Sequence, residues 1–350
     1  ELPMSVSNTS TRFVIFSDGD ADEYNRTWPC TRGSSLVRSP NGSLLAFFSG
    51  LDGCADGATR SALLMRSSAD NGTSWSPVRT LHNYSGVVSG YVAPTVDHRS
   101  GALLLFFNVH YTQTWLRRST DDGASWSAAT NLTAAVGPLA LGAGVQLAGG
   151  RIALAPHAAR NFALISDDLG ASWHHGAPVP FEGSGLVSGG ESQLVDLPAR
   201  GTRALAMVIR VEGGDVDRHH ALSLSDDAGE TWSTPRLMAA LTGPTCEGSV
   251  ARRADGTLLL SAPQSFHWRY PADRRTLTAW RTLTVWRNLT VWSFRPNAGA
   301  PGGFTAAGAV SVWGGPAAYS GLTRRGDFVI FEGGPAFRYQ SVMVARVPVF

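Results

Sequence analysis

The 350-residue sequence predicts an all-β fold, a six-bladed β-propeller with four-stranded antiparallel blades that takes in residues 1–350 as a single domain. Three observations carry that expectation. A phrase of the form Ser-x-Asp-x-Gly-x-Ser/Thr-Trp occurs four times, at Ser68–Trp75, Ser119–Trp126, Ser166–Trp173 and Ser225–Trp232. Successive copies start 51, 47 and 59 residues apart, the length of one four-stranded sheet per repeat, and at that period the chain makes six sheets arranged radially. Helical periodicity is absent, while 39 glycines and 11 tryptophans point to many tight turns with aromatic packing.

Each phrase has the chemistry of a β-turn. The Asp carboxylate can accept turn N–H groups, the Gly takes a positive φ, and the Trp packs beneath the hairpin. Short apolar runs such as Ala62-Leu63-Leu64-Met65 and Phe162-Ala163-Leu164-Ile165 precede the copies, so each copy marks a strand–turn–strand corner. The first and last blades are expected to carry no intact copy, because terminal repeats must close the ring. Arg12-Phe13-Val14-Ile15-Phe16 and Ser341 to Val347 are the strands expected to meet there. These turns locate the fold and carry no chemistry of their own.

Composition narrows the function. A formal net charge of +2 is too small to imply nucleic acid or an anionic membrane, and no apolar run of about 18 residues is present to span a bilayer. All 29 basic residues are arginine, a bias that GC-rich codon usage explains in large part. The chain starts at Glu1 with no basic and apolar leader, and seven Asn-x-Ser/Thr sequons occur, at Asn8, Asn25, Asn41, Asn71, Asn83, Asn131 and Asn288. Both features lean towards a mature, N-glycosylated protein that is secreted or lysosomal and lumenal. The three cysteines, Cys30, Cys54 and Cys246, are too few for a disulfide scaffold. Nine histidines show no metal-ligand spacing, since His174-His175 and His219-His220 are neighbours that point to opposite strand faces. No metal site and no cofactor are expected.

Candidate functional residues stand in local phrases. Arg32 lies ten residues before the Gly42 of Gly42-Ser43-Leu44-Leu45-Ala46-Phe47. Asp56 lies 14 residues before the Asp of the first turn phrase, with Asp52 as its rival. Glu191 sits in Gly190-Glu191-Ser192-Gln193-Leu194, and Arg210 follows it by 19 residues. The hexapeptide Arg-Thr/Asn-Leu-Thr-Ala/Val-Trp is written three times from Arg275, Arg281 and Arg287, and Tyr319 stands in Ala318-Tyr319-Ser320-Gly321-Leu322. In order, context and spacing these phrases resemble the exo-α-sialidase (neuraminidase) family, whose propellers carry the same Asp-box turns. The likeness runs from about Arg32 to Phe350 and is closest to lysosomal-type animal and bacterial exo-sialidases. Thr245-Cys246-Glu247-Gly248-Ser249-Val250 is similar to a Cys-Gln-Gly-Ser-Val strand in the animal enzymes.

The resemblance implies an exo-α-sialidase acting on sialylated glycoproteins, glycolipids or oligosaccharides. Arg32, Arg210 and Arg287, with Arg281 as the rival for the third place, would grip the substrate carboxylate, and Glu332 would brace Arg32. Asp56 would serve as acid and base, Tyr319 as nucleophile and Glu191 as its base. The assignment makes chemical sense. A carboxylate nucleophile would be repelled by the substrate's own carboxylate, whereas a phenol is neutral until its neighbour takes the proton. Retention at the anomeric carbon follows. Leu51 departs from the family, which has an arginine there, so a sialic-acid-binding propeller with weak or no turnover is the alternative, and a purely structural propeller a second. Because Cys30 precedes Arg32 by two residues and Cys54 precedes Asp56 by two, the resemblance also brings both cysteines to one pocket rim and implies a Cys30–Cys54 disulfide, with Cys246 a buried thiol; three free thiols are the rival reading.

Overall fold

Apolar runs without alternation, such as Leu44-Leu45-Ala46-Phe47-Phe48, are strands that must be covered on both faces. The computed structural model shows how. It describes residues 4–5, 11–54, 60–85, 88–157, 160–212, 219–242, 246–264, 287–297, 299–300, 303–334 and 339–348. Four sheets have four strands each in chain order: β3–β6 (Cys30–Arg38, Leu44–Leu51, Arg60–Ser68, Arg79–Ser85), β7–β10 (Val88–Val96, Leu103–Val109, Gln113–Ser119, Thr130–Asn131), β11–β14 (Val145–Gln146, Ile152–Leu154, Leu164–Ser166, His174–His175) and β15–β18 (Ser188–Asp196, Leu205–Glu212, His219–Ser225, Arg236–Thr242). The fifth blade is β19 (Ser249–Arg252), β20 (Leu258–Gln264), β21 (Arg287–Pro296) and the 19-residue β22 (Phe304–Leu322). The far half of β22 then opens the sixth blade, with β23 (Phe328–Gly333), β24 (Ser341–Arg346) and the N-terminal β2 (Arg12–Ser17). The result is a six-bladed propeller of antiparallel blades. A short β1 (Met4–Ser5) adds to β22 in parallel.

The ring closes where the sequence places its closing strands, with Arg12 opposite Ala345 and Ser17 opposite Ser341. One expectation needs correction. The first four-stranded blade, Cys30–Ser85, does carry a turn phrase, and the two blades without one are the fifth and sixth. The reason is that β2 belongs to the last blade, so blades counted along the chain are displaced by one strand. A single helical turn, α1 (Thr133–Val136), also forms, too short to leave a periodic signature. No helix among the described residues is long and apolar enough to cross a membrane.

Six hydrophobic clusters occupy the six blade-to-blade interfaces among the described residues. In β4, Leu44, Ala46 and Phe48 face the sixth blade's Ile15, Phe328 and Val344, while Leu45 and Phe47 face the second blade's Leu103 and Leu105. Strict alternation thus feeds two cores from one strand, and the run reads as wholly apolar. The turn phrases hold as drawn, between third and fourth strands. Asp70 accepts from the Ser74 amide at 2.9 Å and the Ser74 hydroxyl at 2.6 Å, and Asp121 and Asp168 repeat the pattern. Those bonds, chiefly from Ser74, Ser125 and Ser172, pull all three carboxyls down to about 2. The Trp does more than underlie its own turn. Trp126 meets Phe47 edge-on at 5.8 Å and Trp173 meets Phe106 at 5.2 Å, each on the preceding blade.

Candidate functional site

The first strands β3, β7, β15, β19 and β22 line the central axis, and at one end of that axis every blade contributes a polar side chain. In ring order these are Arg32, Tyr91, His157, Glu191, Glu247 and Tyr319. Four of them interrupt the ladder between a first strand and the next. The register slips between Arg32 and Ser35, between Val88 and Val92, between Gly189 and Ser192, and between Ala317 and Ser320. One extra residue at three of these points, and two between Val88 and Val92, break the ladder, which is how bulges commonly re-aim side chains to build sites.

Glu191 is the centre of the arrangement. Its Oε1 accepts from Tyr319 Oη at 3.1 Å and from Tyr91 Oη at 2.9 Å, and its Oε2 pairs with Arg210 Nη1. Arg210, on β16, also reaches Glu212 Oε1 at 2.6 Å, and its side chain is only 10% exposed. Burial alone would favour losing the guanidinium proton, but Glu191, Tyr319 and Glu212 outweigh it and raise its pKa. The Arg32 guanidinium lies 5.5 Å from the Tyr319 ring centre and 4.9 Å from that of Tyr339, a cation between two aromatic faces. Fully buried Glu332 accepts from the Gly33 amide; burial lifts its carboxyl to about 7 despite the nearby Arg32 charge.

Behind Glu191 lies a second polar layer. Glu247 Oε1 accepts from Gln193 Nε2 at 2.9 Å and stands 3.4 Å from His157 Nε2. Burial, and then the charge of Glu191, push the Glu247 carboxyl well above the usual carboxylate range; burial holds His157 down to about 4. Burial thus favours the uncharged form of both the acid and the imidazole in this layer. Tyr91, whose ring packs edge-on against His157 at 4.7 Å, is held well above the usual phenol range by burial and by its Tyr319 and Glu191 neighbours.

Of the residues singled out from sequence, Arg32, Glu191, Arg210, Tyr319 and Glu332 come together here. Arg287 opens β21, and its side chain lies outside the described residues, as do Asp56 and Arg281. Asp52 stands 3.8 Å from Arg60, and Leu51 is a core residue opposite Cys30. Cys30 and Cys54 form the expected disulfide, with Cα atoms 5.3 Å apart, and Cys246 is a buried thiol outside that bridge. Sequence reading missed Tyr91 and His157 and gave Glu247 no chemical part. Ser89-Gly90-Tyr91 does hold a usable signal, a glycine beside a polar residue at the start of a first strand, as in Arg32-Gly33 and Gly190-Glu191.

Comparison with known proteins fits this geometry. The family model for the BNR repeat-like domain matches residues 90–327. The chain belongs to the BNR repeat-like family. A curated relative of this BNR-repeat propeller is Sialidase-3 of Bos taurus, 28% identical over 225 residues, which are 50% of this chain and 50% of that protein. The match thus spans about half of the relative. Among solved structures, the intramolecular trans-sialidase of Ruminococcus gnavus superimposes with a TM-score of 0.70 at 14% identity, covering 97% of each chain. The Trypanosoma rangeli sialidase gives 0.67 at 16% identity over 98% of this chain and 60% of its own, and a Hadza microbial sialidase gives 0.66 at 20% identity over 91% and 66%. At these identities the shared property is the propeller fold.

Proposed function

We propose that this BNR-repeat propeller is an exo-α-sialidase that removes terminal sialic acids with retention, through Tyr319 as nucleophile and Glu191 as its base. The observation that carries the reading is the bond from Tyr319 Oη to Glu191 Oε1, with Arg210 holding Glu191 as the anion. A phenol aimed at a carboxylate is uncommon in a glycosidase, and it suits a substrate whose anomeric carbon bears its own carboxylate. In this reading the substrate anion docks on Arg32, beside the Tyr319 ring. As the phenol oxygen bonds to the anomeric carbon, its proton passes to Glu191 and the glycosidic bond breaks. Asp56 is assigned to protonate the leaving oxygen and then to activate the water that releases the sugar. Arg287, or Arg281 in its place, is assigned to the substrate carboxylate. The Cys30–Cys54 bridge supports this by anchoring the chain two residues before Asp56. We place the protein, as one domain, in the secretory or lysosomal lumen, where that bridge and the sequons would form.

Hydrolysis of a fluorogenic α-sialoside tests the reading, with proton NMR of the first-formed sugar. Turnover giving the α-anomer is the expected result. Release of the β-anomer would rule out the tyrosine route, and a rise in Tm with free sialic acid but no turnover would favour the sialic-acid-binding alternative.

A further inference from the structure

At the opposite end of the axis the first strands deliver a different set of side chains. Six arginines, Arg38, Arg252, Arg253, Arg324, Arg325 and Arg346, surround an open basin of about 1260 Å³ that continues into an axial recess of about 360 Å³. Three carboxylates share the region, Asp196, Asp255 and Asp327, so the local excess is +3, more than the +2 of the whole chain. The molecule's net positive charge is therefore concentrated on this face.

The arginines are not all committed. Arg252 and Arg324 share Asp196 at 2.8 and 3.4 Å, and Arg38 holds Asp327 at 2.6 Å. Arg325 and Arg346 are exposed and make no ion pair with a described carboxylate. Arg346 and Arg38 both lie against the Phe328 ring, at 5.6 and 5.5 Å, which holds their guanidinium groups at the basin wall. His98, at the mouth, is held below the usual imidazole range by burial and then by the charge of Arg324, a sign of positive local potential.

We propose that this basin is a second binding site, for an oligosaccharide carrying several sulfate ester groups. Guanidinium forks match tetrahedral oxyanions and give up water more readily than ammonium groups. The basin is far larger than one free ion needs and exceeds the usual pocket for a drug-sized ligand, so it has room for an oligosaccharide. Phe328 on the basin wall is covered by arginines, so its face is closed to a stacking nucleic-acid base. The site is independent of the catalytic reading. It would hold a sulfated chain on the face away from Tyr319.

Calorimetric titration of the intact protein with a heparin-derived tetrasaccharide, its desulfated form and inorganic sulfate at fixed ionic strength tests the proposal. The sulfated tetrasaccharide should bind at least about 100-fold more tightly than either comparator, given several charge-assisted contacts. The double variant R325A/R346A, altered at exposed positions, should stay folded with Tm lowered by no more than a few degrees for the lost Arg346–Phe328 contact and lose about tenfold or more in affinity, while R60A/R236A, which removes the same charge elsewhere, should change affinity less than about twofold. Equal losses in the two variants would overturn the site in favour of diffuse attraction. Inorganic sulfate binding as tightly as the tetrasaccharide, or displacement of the tetrasaccharide by an equimolar single-stranded oligonucleotide, would also overturn it.

Discussion

Two phenols reach one oxygen of Glu191, and their roles separate on position. Tyr319 lies against the Arg32 guanidinium, so it borders the space for a bound anion; Tyr91 lines the same small pocket but packs edge-on against His157. Tyr319→Phe should therefore lose at least about 1000-fold in kcat with an unchanged Tm, since the bond-forming atom is gone and the ring stays. Tyr91→Phe removes one partner of Glu191 while the Tyr319 and Arg210 contacts remain, and should lose no more than about tenfold. Steady-state kinetics of both variants decides; the reverse order of losses would make Tyr91 the nucleophile. At this scale the sequence showed the residues that lie in local phrases. It did not show Arg210 engaged by both Glu191 and Glu212, because Arg210 and Glu191 are 19 residues apart and meet only when β15 pairs with β16. Glu247 was read as a marker of register, since its altered acidity arises from burial that no local phrase records.

Among elements, the turn phrases carried nearly all of the legible fold. Their side-chain bonds are local and so repeat wherever the residues do, which made the count of six blades and the four corners readable. What they do between blades was not readable. The chain after β14 runs against the turn phrase of the next blade, where the Ala177 amide donates to Glu230 O at 2.7 Å. A Cβ at Gly176 would fall inside the Gly229 carbonyl of that turn, a backbone group that cannot swing aside. Gly176→Ala should thus destabilise by about 1–3 kcal/mol, as overpacking does, against a change of a few tenths at the open Gly53. Denaturant unfolding of the two variants would measure it, and equal midpoints would show that the blades yield freely at this contact. The first blade was misread for a related reason. A sequence repeat begins wherever its phrase begins, whereas a blade begins at the axis.

For the molecule as a whole, buried titratable groups set opposing slopes of stability with pH. Burial holds His157 and His220 at about 4, below the 6.5 of a free imidazole, so acidification through that window protonates the unfolded chain first and costs stability. The box carboxyls near 2 add to this loss, because their stabilisation disappears as pH falls from 3.8 towards 2. Glu332 works the other way. Lifted to about 7 by burial from 4.5, it costs stability as pH rises through that window, and Glu247, raised by burial as well, adds to the loss. Tm should therefore pass through a broad maximum between about 4.5 and 6.5 and fall on both sides. Calorimetry from pH 3 to 9 checks this, with Glu332→Gln expected to flatten the alkaline side; a Tm that climbs steadily from pH 5 to 8 would contradict it. The continuous β22 has a mechanical consequence as well. After β10 and β14 the chain leaves one blade before it enters the next, but β22 is the outer strand of the fifth blade and the inner strand of the sixth. Load applied to either blade passes along covalent backbone into the other, so these two cannot part unless β22 itself is stripped from its neighbours. The clasp between β2 and β24 closes the sixth blade on its far edge. Tension that opened the clasp would peel the outer edge of the sixth blade while its inner edge stayed welded to the fifth, leaving Tyr319 on the welded side.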